Sequence, residues 1–213
     1  MGTDIHGFIE VRNEYIDFSE PEDDEEFFLR WHPACALDHL YNDRSYLAFD
    51  CLFGVRSGWF EPLAAKRGFP EDASRAVARA FREHGTDAHS PSWISWAELE
   101  SVAWDEPAAL KVYPGAFEYR RGPDGDWVWD GCGESPERLA ELTGTSPQVA
   151  ARAGEHWPEG TEWLDGGRLF RISRFTRRQA VQDSSWGDVW TVMRTLAKRH
   201  GSDNVRLVVW FDN

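Results

Sequence analysis

The sequence predicts an α+β fold: a mixed sheet with the N- and C-terminal strands central, flanked by several helices and a β-hairpin. Three observations carry this reading. Ile5 to Val11 alternates with period two, Ile5, Gly7, Ile9 and Val11 facing one way and His6, Phe8 and Glu10 the other. Val205 to Phe211 is apolar throughout apart from Arg206, the pattern of a strand covered on both faces. Between these ends, helical and strand patterns follow one another without the strict alternation of a parallel α/β fold.

After the first strand, Phe18 to Glu26 is an acidic run around Pro21, read as a solvated loop. Asp43 to Phe53 carries a helical apolar stripe (Tyr46, Leu47, Phe49, Leu52, Phe53), with Asp43 as N-cap and Gly54 as terminator. Val55 to Pro70 reads as a long loop pinned by its own Trp59, Phe60 and Phe69. Asp72 to His84 is a helix capped by Asp72 and ended by Gly85, and Ser95 to Glu98 is a capping-box pattern opening another helix to about Trp104. His89 to Trp93 lies between them as a turn-forming connector.

Further along, Phe117 to Tyr119 and Trp127 to Trp129 form the arms of a hairpin around Gly122-Pro123-Asp124-Gly125. Pro136 to Leu142 and Pro147 to Ala153 are helical, each with proline in its first turn. Trp163 to Phe175 holds a strand or hairpin turning at Asp165-Gly166-Gly167, and Trp186 to Arg199 is an amphipathic helix. The whole reads as a single domain over residues 1–213, with an inserted subregion over about 107–182.

Composition narrows the function. A net charge of −14 opposes binding to phosphate backbones, so no nucleic-acid partner is expected. No run approaches the ~18 apolar residues of a membrane span, and no basic, then apolar leader opens the chain, so neither membrane nor secretion is expected. The three cysteines (Cys35, Cys51, Cys132) are odd in number and not spaced as CxxC, which suits reduced thiols in the cytoplasm. The 12 tryptophans either replace other bulky residues in the core or, being amphipathic, in part line a cleft or partner surface. There is no Walker loop, G-x-G-x-x-G, H-E-x-x-H or EF-hand spacing.

The residues best suited to chemistry are Asp4 and His6. Two apart on a strand, they share a face about 7 Å apart, where a carboxylate and an imidazole can hold one metal if a third ligand arrives from elsewhere. His89, in a turn before a helix N-terminus, is the candidate third ligand. Iron, zinc or manganese all suit such donors. Arg44, Tyr46 and Ser92 are candidate catalytic residues: Arg44 as a cation for a substrate anion, Tyr46 on the neighbouring helix, Ser92 as a hydroxyl in the His89 turn.

The opening Met1 to His6, Asn42 to Tyr46 with Gly54-Val55-Arg56, Arg67 to Pro70, His89 to Ser95 and the ending Val205 to Asn213 resemble a family of uncharacterised actinobacterial and bacteriophage proteins. Residues from about Pro107 to Gln182 do not align with that pattern. The resemblance implies that the Asp-Ile-His strand, the Tyr46 helix and the His89 turn form one arrangement, and it implies no activity. The expected function is a metal-dependent enzyme acting hydrolytically or oxidatively on a small-molecule substrate. The alternative is an acidic binding module (inhibitor, immunity or charge-mimic protein) for a basic protein partner.

Overall fold

The computed structural model describes residues 2–13, 30–56, 58–109, 114–130 and 136–213. In chain order the elements are β1 (Asp4–Asn13), β2 (Arg30–Ala36), α1 (Tyr46–Phe53), α2 (Arg75–Glu83), β3 (His89–Ser95), α3 (Trp96–Glu100), β4 (Gly115–Arg121) and β5 (Trp127–Trp129). There follow α4 (Pro136–Thr143), α5 (Pro147–Ala150), α6 (Ala153–His156), β6 (Glu162–Asp165), β7 (Arg168–Ser173), α7 (Arg177–Ala180), α8 (Asp183–His200) and β8 (Val205–Asp212). The fold is α+β, and the chain divides into two compact units: Met1–Asp105 with Arg177–Asn213, and Glu106–Thr176. No described helix is long and apolar enough to cross a membrane.

The first unit is built on a four-stranded sheet of order β2-β1-β8-β3. The two end strands are its inner neighbours, paired from Asp4 opposite Asp212 to Val11 opposite Val205. Every pair is antiparallel, so the expected mixed sheet is corrected to an antiparallel one. The apolar run of β8 does not need parallel neighbours. It needs cover on both faces, and helices supply it. On one face Ile5, Ile9, Val11, Leu207, Val209 and Phe211 are buried, and Phe211 meets Phe49 and Phe53 of α1 edge-on at 5.3 and 6.0 Å. Helix α8 covers the same side, its buried Trp186 lying 4.4 Å from the Tyr41 ring that reaches Phe49. On the other face Val208 and Trp210 pack with Val77 and Phe81 of α2 and with Phe69. Gly7 is required by the pairing itself, since a Cβ there would stand 2.1 Å from the Val208 carbonyl oxygen.

Helix boundaries shift by the caps chosen. Ser45, not Asp43, caps α1 through its hydroxyl on the Ala48 amide, and Gly54 ends the helix at φ 70°, where glycine is unstrained. Ser74, not Asp72, caps α2. Asp72 is used elsewhere: it accepts from Arg206 Nη1 at 2.8 Å and from the Trp31 indole at 2.8 Å. Arg206 also donates through Nε to Glu10 at 2.9 Å, and its guanidinium lies 3.9 Å from the centre of the Trp31 ring. The loop after α1 is pinned as much by a carboxylate as by aromatics. Buried Asp50 accepts from the amides of Gly58 and Trp59 at 2.6 Å each and of Phe60 at 3.2 Å.

Two elements differ in kind from the sequence reading. His89 to Ser95 is a strand rather than a connector; a bulge between His89 and Ser92, with Ser90 at φ 49°, lets Pro91 sit on this edge strand. Arg30 to Ala36 is the opposite edge strand, with Pro33 beside a register shift against β1. The capping box at α3 is formed, but the helix ends at Glu100. The acidic run Phe18 to Glu26 and Cys132 lie outside the described residues; neither Cys35 nor Cys51 is in a disulfide.

The second unit has its own antiparallel sheet, β5-β4-β7-β6. Both expected hairpins are present, Tyr119 pairing with Trp129 and Leu164 with Leu169. Its core joins Leu139 and Ala140 of α4, Ala150, Ala153 and Ile172, with Trp157 and Trp163 packed against them.

Candidate metal centre

The α2-covered face of the first sheet carries the site. In the β1–β8 register, Asp4 stands opposite Asp212 and His6 opposite Trp210, so all four side chains share one face. His84, the residue that ends α2, brings a second imidazole over the same strand end. Its ring lies 4.5 Å from that of His6 and 5.4 Å, edge-on, from that of Trp210. One ligand atom from each of His6, His84 and Asp212 falls within 4.8 Å of the others. This is two histidines and one carboxylate, the donor set that leaves coordination positions open on a mononuclear ion.

The closest approach is His6 Nε2 to Asp212 Oδ2, at 3.3 Å. That nitrogen is buried and has no hydrogen-bond partner among the described residues, so the contact lacks hydrogen-bond geometry. Two ligand atoms each about 2.1 Å from one ion stand about 3.0 Å apart at a right angle and about 3.4 Å apart at the tetrahedral angle. The observed separation falls between these values. On the far side of the ring, His6 Nδ1 lies 3.7 Å from Asp38 Oδ1. That contact is beyond hydrogen-bond distance, so Asp38 adds negative charge near the ring without fixing its tautomer. The His6 and Asp212 side chains are 24% and 29% exposed, so the cluster is half-buried and open on one side.

The sequence-predicted residues divide. His6 is in the cluster. Asp4 shares its face but is held by Arg44, whose Nε and Nη2 donate to Oδ1 and Oδ2 at 2.8 and 2.6 Å. That bond, and the charges of Asp4 and Asp212, raise the pKa of Arg44 above its ordinary value. His89 is on the opposite face: it pairs with Phe211 and stacks on that ring at 6.1 Å, while Nδ1 meets Ser90 Oγ at 3.0 Å. Phe211 points away from Trp210 and Asp212 because neighbours on a strand alternate. The set Asp4, His6 and His89 is therefore not brought together, and His84 and Asp212 stand where Asp4 and His89 were expected.

Among the candidate catalytic residues, Arg44 lies beside the cluster through Asp4 and Asp212. The Tyr46 hydroxyl accepts from the Thr3 amide at 3.3 Å, and its ring lies under the Arg56 guanidinium at 5.5 Å. Ser92 is buried and donates to the Ala64 carbonyl, on the face away from the cluster.

No protein-family model, curated protein or solved structure matches this chain. The geometry of the cluster therefore carries the functional reading alone.

Proposed function

We propose that the first unit binds one divalent transition metal through His6, His84 and Asp212, and that the chain is a metal-dependent enzyme acting hydrolytically or oxidatively on a small molecule. The single observation behind this is the 3.3 Å approach of His6 Nε2 to Asp212 Oδ2 without a hydrogen bond, with a second imidazole in the same sphere. Two neutral nitrogens and one carboxylate suit iron, zinc or manganese, and such an ion supplies Lewis-acid activation of a ligand in an open position. The side chains do the rest. The Trp210 ring supports His84 edge-on, and Arg44, by clasping Asp4, leaves Asp212 as the carboxylate free to face His6.

Cobalt(II) titration of metal-stripped protein tests the reading by visible absorption. The expected result is saturation at one equivalent with the bands of a nitrogen- and oxygen-ligated ion, and their loss in His84→Ala. A spectrum that stays that of aqueous cobalt at several equivalents would refute the proposal.

A further inference from the structure

A second site stands apart from the metal centre, on the α8 side of the sheet. A cavity of about 170 Å³ opens between α3, the segment leading into α8, and α8 itself. Its walls are the indoles of Trp96, Trp104 and Trp190 together with Leu99 and Val181. An apolar cavity of about 150 Å³ accommodates benzene, so this one has room for a single six-membered ring and a small substituent.

Its polar groups specify the substituent. Arg178, Arg194 and Asp183 complete the lining, which leaves one excess positive charge. Arg178 is engaged by Asp105 at 3.1 Å. Arg194 has no carboxylate partner among the described residues; its guanidinium lies 5.7 Å from the centre of the Trp96 ring. In a protein with 37 acidic and 23 basic residues, Arg194 offers the cavity a guanidinium that no carboxylate neutralises among the described residues.

We infer that this cavity binds a small aromatic carboxylate, its ring between the indoles and its carboxylate accepting from Arg194. The guanidinium gives a charge-assisted, planar match to the carboxylate.

Benzoate is the probe, followed by calorimetry or ligand-observed NMR on the full chain. Benzyl alcohol (ring without charge) and acetate (charge without ring) are the comparisons. Benzoate is expected to bind at least about tenfold more tightly than either, the margin of a hydrogen bond to a charged group. Arg194→Gln, an exposed position, should bring benzoate down to the level of benzyl alcohol and leave benzyl alcohol unchanged. Benzoate that does not bind in the millimolar range, or binds Arg194→Gln as well as wild type, overturns the inference.

Discussion

Arg44 clasps Asp4 through two parallel hydrogen bonds of 2.8 and 2.6 Å, so the carboxylate that opens β1 is committed to a guanidinium. Asp212, directly across the strand pair, faces His6 instead. The two acids therefore answer differently to the same change. Asp4→Asn should leave metal retention close to wild type, whereas Asp212→Asn should reduce affinity by at least about tenfold. Side-by-side metal titrations of the two variants check this; equal losses would place Asp4 in the ligand set.

Glu10 and Arg206 form a pair out of contact with water, extended by Asp72 and roofed by Trp31. Removing one member of a buried pair strands the other charge, so Arg206→Met should destabilise the protein by about 3–5 kcal/mol. Replacing Glu10 and Arg206 together by apolar residues should cost much less. Urea denaturation of the single and double variants gives the comparison, and additive losses would contradict the coupling.

The strands at both ends and their central place in the sheet are legible because period-two patterning and an unbroken apolar run report burial directly. His6 is legible as a candidate ligand because alternation puts it on the polar face of β1. His84 is not, since a histidine at a helix end reads as an ordinary C-terminal cation, and only the packing of α2 on the sheet sets it over His6. Asp212 needed the β1–β8 register, which turns on the pairing of residues some two hundred positions apart. His89 misled because a bulged edge strand with Ser90 and Pro91 looks locally like a turn, and its face is set only by pairing with Phe211. Asp43 and Asp72 each stand two residues before the serine that caps the helix, and both residue types suit that position.

Asp50 holds three loop amides from inside the protein. Its loss leaves those donors without their acceptor, so Asp50→Ala should destabilise by about 2–4 kcal/mol, and Asp50→Asn by less because one oxygen remains. Amide exchange at Gly58 to Phe60 should accelerate in both variants. Unchanged protection there would show that the aromatics alone hold the loop.

Glu98 and Tyr41 make the stability of the first unit depend on pH at its two ends. Burial alone would raise the Glu98 carboxyl, but hydrogen bonds from Arg67 and from Ser95 outweigh it and bring the pKa from 4.5 to about 2. A lowered pKa stabilises the fold above the ordinary value, so this contribution fades as pH falls from 4.5 towards 2. Glu98→Gln should flatten the acid limb of a melting-temperature profile. At the other end, burial raises the Tyr41 hydroxyl from 10 to about 12, and that stabilisation is lost as pH rises through this interval. Tyr41→Phe should flatten the alkaline limb, and an unaltered slope in either variant would contradict its assignment.

Whether His6, His84 and Asp212 hold a metal together is decided by elemental analysis of tag-free protein, alongside the melting temperature of the same samples. Close to one equivalent of iron, zinc or manganese per wild-type chain is expected, lost on His84→Ala in protein that still melts cooperatively. Metal retained at full stoichiometry in folded His84→Ala, or wild-type protein that takes up no metal when these ions are supplied, would contradict it.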